Sequence, residues 1–326
     1  MSRQASSAPS RRPSGVVAGV LVLVLLAVAG VLLAVARPWT GPAPDPARDA
    51  SATGPGRPTP TSALTPTSRP TASVAPASFR VSSFNVLGAG HTRAGGTRPR
   101  FAAGWVRMRW AVQLLRSADV SVAGLQELEP PQYATFRRAA PRWGVFPGVR
   151  PTRRYLANSV VWDRRTWRLV AGRTIVIPYF HGRPKPMPYL LLRHRATGRL
   201  VWFANFHNPA DVRGPAAQWR REAVARETGL VNRLAARGLP VVMTGDMNDR
   251  AAFFCPVVAR TRLHAANGGS RRGRCRPPAG LGIDWILGSP RVVFTHHGAV
   301  RGGLVSRTTD HPFVWAAASV GAAPGR

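Results

Sequence analysis

Between Ser83 and Pro312, six short apolar runs each adjoin a polar cluster drawn from the same few residue types. This recurrence constrains the fold more than any other feature of the chain. In order, the clusters are Ser83-Phe84-Asn85-Val86, Leu125-Gln126-Glu127, Asn205-Phe206-His207-Asn208, Gly245-Asp246-Met247-Asn248, Ile283-Asp284-Trp285-Ile286 and Thr309-Asp310-His311-Pro312. The apolar stretches have the length and patterning of strands. A layered α/β protein gathers its site at such strand ends, so the chain is expected to bring these clusters to one edge.

The intervening segments fit that picture. Residues 79–86 alternate as a strand. Residues 101–116 carry Val106, Trp110, Val112, Leu114 and Leu115 at helical spacing, and 120–125 read as a strand. Further strands are predicted at 159–162, 166–177, 189–194, 200–206, 239–244, 283–287, 291–295 and 312–317, with a helix over 214–236. Many strands, several hairpin-like pairs and few helices point to an α/β (α+β) arrangement. Packed mixed sheets with helices outside fit it better than a purely parallel doubly wound sheet.

Composition sharpens the argument about the site. The chain has 326 residues, 44% of them hydrophobic, which excludes wholesale disorder. It carries 46 basic residues against 13 acidic ones, a formal charge of +33, yet Lys185 is its sole lysine. Such arginine bias beside abundant Ala, Gly and Pro reads as a compositional habit, so charge alone is weak support for nucleic-acid binding. An anionic partner would still be attracted. Within 79–326 there are 39 basic and 11 acidic residues, so the placement of acids carries information. Glu127, Asp246, Asp284 and Asp310 fall at strand ends, whereas Glu222 and Glu227 fall on a predicted helix, where solubilising surface acids are expected.

The first residues bear on compartment. Arg3, Arg11 and Arg12 precede an uncharged run at 15–36, which is 22 residues long. At ~1.5 Å per residue such a helix crosses a hydrocarbon core of ~30 Å. Basic residues before it keep 1–14 in the cytoplasm, so the rest is expected to lie outside, anchored to the cell membrane by one span. The alternative is a secretory signal cleaved near Ala34-Val35-Ala36. Residues 37–78 form a Pro/Thr/Ser-rich spacer, and 79–326 form the folded domain. Cys255 and Cys275 exclude a disulfide-dense scaffold and a cysteine-cluster zinc site. In an exported chain they are expected to form one disulfide, with two buried thiols as the alternative.

Taken singly, most of the six clusters are weak signals; their ordered set, spread over 230 residues, is not. It resembles the endonuclease/exonuclease/phosphatase superfamily, which includes pancreatic-type deoxyribonucleases, apurinic endonucleases, bacterial sphingomyelinases and inositol-phosphate phosphatases. The resemblance covers 79–318. It implies a four-layer α/β sandwich and metal-dependent hydrolysis of phosphate esters. It further implies that Asn85, Glu127 and Asp310 bind the metal, Glu127 foremost. Asp246 and Asn248 would position the attacking water and the phosphate. His207 would bond a phosphate oxygen or assist the leaving group, and Asp284 would orient His311 as acid/base or phosphate contact. Asn158 and Asn208 would line the substrate site. Two positions depart from the family pattern: Phe206 stands where Thr is frequent, and Met247 where an aromatic is usual.

Elementary chemistry asks for the same residue types. Carboxylates with an amide suit Mg²⁺, with Mn²⁺ or Ca²⁺ as alternatives, because these ions prefer oxygen ligands. A carboxylate on one imidazole nitrogen fixes the tautomer of the other. His91, His181, His194, His264, His296 and His297 fall outside the clusters and are read as ordinary histidines. Trp105, Arg107, Arg109 and Trp110 could imitate a DNA insertion loop, but their spacing suits an amphipathic helix better. The arginines around Ser270 to Arg276 read as solvated. The expected partner of such a site is a phosphodiester, in nucleic acid or a lipid headgroup, acted on by a monomer. A catalytically inactive binding protein is the alternative of another class.

Overall fold

The computed structural model describes residues 75–148, 157–271, 273–280 and 282–321. The predicted span at 15–36 and nearly all of the spacer lie outside the described residues. Among those described, no helix is long and apolar enough to cross a membrane.

The strands are β1 (Ala77–Asn85), β2 (Val122–Gln126), β3 (Trp143–Phe146), β4 (Asn158–Asp163), β5 (Trp167–Pro178) and β6 (Pro184–His194). They continue with β7 (Leu200–His207), β8 (Val241–Asp246), β9 (His264–Ala265), β10 (Asp284–Gly288), β11 (Val292–Val300) and β12 (Phe313–Val320). The helices are α1 (Gly104–Ser117), α2 (Pro130–Ala139), α3 (Ala217–Ala235), α4 (Ala251–Arg260) and α5 (Leu304–Thr308). One sheet has the order β11-β12-β1-β2-β4-β3, the other β5-β6-β7-β8-β10-β9. Each is mixed: β1 and β2 run parallel in the first, β7 and β8 in the second, and the remaining neighbours are antiparallel.

Alternation along the strands gives each sheet two apolar faces. The inner faces meet through Phe79, Val81, Trp167, Leu190, Phe203 and Ile286, with the Phe79, Trp167 and Phe203 rings in edge contact at 5.1–5.8 Å. On the outer face of the first sheet, Met108 and Leu115 of α1 and Phe136 of α2 bury against Phe84 and Leu125. On the second, Val224 and Val231 of α3 and Phe253 of α4 cover Phe206 and Met243. Helix, sheet, sheet and helix therefore stack as an α/β sandwich, each large buried side chain contributing roughly 1.5–3 kcal/mol.

The observed elements depart from the sequence expectation in a few places. β1 begins at Ala77, two residues before the predicted start. Three helices, α2, α4 and the short α5, had no periodic signal strong enough to predict. α2 opens on Pro130-Pro131, which a helix tolerates in its first turn, and Glu129 with Gln132 forms a capping box there. α4 contains Pro256, yet buries Phe253, Phe254, Val257 and Val258 on one face. Cys255 on that helix is disulfide-bonded to Cys275.

Candidate active site

Register places the polar clusters in two facing rows. In the first sheet Asn85 pairs with Gln126, and Gln126 with Asn158. In the second His207 pairs with Asp246, and Asp246 with Asp284. The carboxyl ends of the parallel pairs and the starts of their antiparallel neighbours β4 and β10 thus share one edge. Beneath it the apolar filling gives way to hydrogen bonds between the sheets. Gln126 Nε2 donates to Asn205 Oδ1 at 2.6 Å, and Asn205 Nδ2 donates to the carbonyls of Leu125 and Ser159. Gly124 permits this approach, since a Cβ there would lie 2.1 Å from Thr244 Oγ1 and 2.3 Å from Asn205 Oδ1.

Glu127 follows β2 with φ +61°, a left-handed conformation that costs a non-glycine residue free energy and recurs at functional sites. Its carboxylate accepts from Gly88 N–H at 2.7 Å and Asn85 Nδ2 at 3.1 Å, with His91 Nε2 at 3.3 Å. Burial alone would raise its pKa. His91, Gly88 and Asn85, hydrogen-bonding to the carboxylate, hold it well below the usual carboxylate range. Asn85 accepts from Leu87 N–H through Oδ1 and turns Nδ2 toward both Glu127 and Asp246, the latter also at 3.1 Å.

Across the edge, His311 Nδ1 lies 3.0 Å from Asp284 Oδ2, and its Nε2 faces Asp246 Oδ2 at 3.7 Å. Burial opposes charging of this imidazole, but Asp284, Asp246 and Asp310 outweigh it and raise its pKa to about 10. Asp246 is pushed the other way for a carboxyl, up to about 7, by burial and by the Asp284 charge. His207 Nε2 is 3.5 Å from Asp246 Oδ2 and from the Tyr179 hydroxyl, and burial pushes its pKa down to about 3. Asn248, at φ +49°, donates its backbone N–H to Asp246 Oδ1 at 3.0 Å and its side-chain amide to the Asn208 carbonyl at 2.9 Å.

Three expected residues stand slightly apart. Asp310 is engaged by Arg98 Nε at 3.0 Å. Asn158 is buried at the edge with both amide atoms unpartnered. Asn208 is buried with its side-chain amide also closing no hydrogen bond of regular geometry. Unsatisfied buried polar groups of this kind are rare and mark places where a ligand or water completes the set.

The structure also brings in residues that the sequence argument left out. His91 was read as an ordinary histidine, yet it contacts Glu127 from the short 3-10 turn Ala89–Thr92. Glu227 was expected on a solvated face. It is instead fully buried on α3, where burial raises its carboxyl to about 8 and the neighbouring Asn208 pulls the other way. Arg107, 1% exposed, sends its guanidinium to the carbonyls of Ala102, Val86, Thr308 and Gly88 and to Thr92 Oγ1. It therefore fastens the loop after β1, which supplies Gly88, to the segment that carries Asp310 and His311. An arginine on the predicted apolar face of a helix was the one available signal.

The donor set fits a hard divalent cation. Glu127 stays ionised among oxygen donors, while the ligand atoms of Asp246, Asp284 and His311, within 4.8 Å of one another, form a separate group in which His311 is protonated. Asn85, its oxygen held by Leu87 N–H, turns its Nδ2 to Glu127 and Asp246 and so orients the carboxylates of such a site.

Comparison with known proteins agrees with this architecture. The model of the Endonuclease/Exonuclease/phosphatase family matches residues 82–311. A mannosyl-6-phosphatase of Bacteroides thetaiotaomicron is similar in fold, with a TM-score of 0.57 and 17% identity over 74% of this chain and 99% of that one. The catalytic domain of human Nocturnin, solved with a bound sulfate anion, gives 0.58 and 15% over 74% and 93%. D. rerio TDP2, solved with a single-strand DNA product, gives 0.55 and 15% over 74% and 98%. No curated protein matches the chain.

Proposed function

The chain belongs to the endonuclease/exonuclease/phosphatase family, and from that premise we propose that it is a metal-dependent phosphodiesterase, acting on nucleic acid outside the cytoplasm. The observation that carries the reading is the opposition of a charged His311, locked by Asp284, to an ionised Glu127 across the shared sheet edge.

In this reading Glu127 would hold Mg²⁺, or Mn²⁺ or Ca²⁺, with Asn85 and Asp310 alongside. Such an ion would supply neutralisation of charge on the phosphoryl oxygens. Asp284 accepts from His311 Nδ1–H, so Nε2–H is presented to a phosphate oxygen. Asp246, with its pKa near neutrality, takes the proton of the attacking water, and Asn248 N–H fixes the orientation of that carboxylate. Neutral His207 supplies a further hydrogen bond at the phosphate. General acid–base assistance of this type is worth about 10²–10⁴ in rate. The buried amide of Asn158 would complete its hydrogen bonds on the substrate, whereas that of Asn208 lies against Glu227 and would line the site from behind.

A nucleic-acid substrate is supported by the excess of 39 basic over 11 acidic residues in 79–326 and by the DNA product held by the D. rerio neighbour. A lipid phosphodiester is the second reading, favoured by Val212, which is 80% exposed on the loop after β7. Export rests on the run at 15–36, as an anchor or a cleaved signal. The test is side-by-side hydrolysis of plasmid DNA, RNA and sphingomyelin vesicles with Mg²⁺ and with EDTA. Metal-dependent turnover of DNA or RNA is the expected result. Turnover confined to vesicles would replace the nuclease with a lipase, and none on any substrate would overturn both.

A further inference from the structure

The chain has 46 basic residues, and only Lys185 is a lysine. It stands at the start of β6 beside the site. Its Nζ lies 3.8 Å from the centre of the Tyr179 ring, whose hydroxyl faces His207 Nε2 at 3.5 Å. The Tyr179 ring packs against Phe180 at 4.4 Å, and the Arg213 guanidinium covers Phe180 at 5.1 Å. Two cations are thus carried on two adjoining rings along the His207 flank.

Among the described residues, neither makes an ion pair, although the Glu127 charge reaches Lys185. Three arginines nearby are by contrast committed: Arg98 to Asp310, Arg220 to Asp211 and Asp249, and Arg107 to backbone carbonyls. Among the described residues no carboxylate lies within ion-pair distance of Lys185 or Arg213. Aromatic faces hold such cations in place while leaving their N–H donors free for an anion. A lysine ammonium is compact and can redirect its three donors, which suits a half-buried position where a planar guanidinium would not turn. Burial lowers the Lys185 pKa to about 8, so it remains mostly charged at neutral pH. Its charge is felt by Glu127 and His207, with the Tyr179 ring beside it. Phe180 carries the exposed Arg213 next to that ring, so the two cations line the rim of the site.

We infer that Lys185 and Arg213, held on Tyr179 and Phe180, form a subsite for a second phosphate of the substrate, distinct from the one hydrolysed. The preferred substrate then carries at least two phosphates, as in a nucleic-acid strand or a phosphorylated inositol headgroup. The inference rests on the phosphoesterase reading.

The test uses the full chain with Mg²⁺ and two esters having the same leaving group: the p-nitrophenyl ester of thymidine 5′-phosphate, and the same ester bearing an added 3′-phosphate. Wild type is expected to prefer the second by at least about ten-fold in kcat/KM, through KM. Lys185→Met and Arg213→Met should each erode that preference by about ten-fold, with Lys185→Arg retaining part of it. Equal use of both esters by wild type, or variants that depress both esters equally, would overturn the subsite while leaving the phosphoesterase standing. No turnover of either ester would overturn the phosphoesterase itself. Competition by thymidine 3′,5′-bisphosphate against vesicles containing phosphatidylinositol 4,5-bisphosphate identifies the source of the second phosphate. Competition by neither overturns the subsite.

Discussion

His311 and Asp284 face each other at 3.0 Å, carboxylate to Nδ1, and this contact makes the imidazole a cation at neutral pH against the penalty of its burial. With its pKa raised to about 10, the proton on Nε2 persists through the physiological range. Asp284→Asn removes the largest favourable charge. The His311 pKa should fall to its ordinary value or below, and donation from Nε2 should fail as pH rises through that value. We predict a fall in kcat of about 10²–10⁴ at neutral pH. The pH–rate profile should gain a descending limb near ~6.5 that wild type lacks. A variant with the wild-type profile would mean that Asp284 does not set the charge of His311.

Arg107 offers a second test. A guanidinium has five N–H donors, and Arg107 makes five hydrogen bonds, none to a carboxylate. Arg107→Met strands four carbonyls and a hydroxyl and should cost on the order of 3–5 kcal/mol in urea unfolding. Arg107→Lys keeps the charge but too few donors. It should leave a folded protein whose half-saturating Mg²⁺ concentration is raised by about ten-fold, because the Gly88 loop no longer holds Glu127. Unchanged metal dependence in Arg107→Lys would reduce Arg107 to a packing role.

Strand periodicity and the six polar clusters made the layered sheets and their shared edge legible in the sequence. Asn85 in one sheet, and His207, Asp246 and Asp284 in the other, stand at the ends or starts of strands on the same edge, with Glu127 directly after β2. What escaped was set by tertiary context. His91 gives no local signal, since its contact with Glu127 depends on how the chain turns after β1. Glu227 sits on a helix with an otherwise ordinary amphipathic pattern, and only packing against the second sheet reveals that it faces inward. Arg107 falls on the apolar side of its helix, but its satisfaction by carbonyls from three separate segments cannot be read from spacing. α4 was hidden by Pro256, a residue that normally argues against a helix interior.

Glu227 gives a prediction about stability and pH. Burial raises its carboxyl from 4.5 to about 8, so between those values the folded chain binds a proton that the unfolded chain has released. Stability should therefore decline as pH rises across that window and level off above it. Glu227→Gln cannot ionise. Its stability relative to wild type should grow from pH 4.5 to 8, reaching on the order of a few kcal/mol. Urea unfolding of both proteins at pH 5, 7 and 9 measures the difference. A difference independent of pH would mean that Glu227 does not ionise on unfolding.

The Cys255–Cys275 bond closes a loop with a sequence separation of 20. Loop closure of that length stabilises the fold by roughly 3 kcal/mol through the unfolded state. Reducing agent should lower the unfolding free energy by about that amount. The double variant Cys255→Ser, Cys275→Ser should be indifferent to reductant. Equal stability of oxidised and reduced protein would remove the disulfide from the account of stability.

The central claim is metal-dependent phosphodiester hydrolysis at the edge where Glu127 opposes His311. The most direct measurement is initial-rate cleavage of plasmid DNA by the full chain, with Mg²⁺ and with EDTA, for wild type, Glu127→Ala and His311→Ala, each shown to be folded by circular dichroism. The account predicts turnover in wild type with Mg²⁺, none with EDTA, and a loss of at least about 10²-fold in each variant. Cleavage that survives chelation, or that persists at the wild-type rate in either variant, would contradict it.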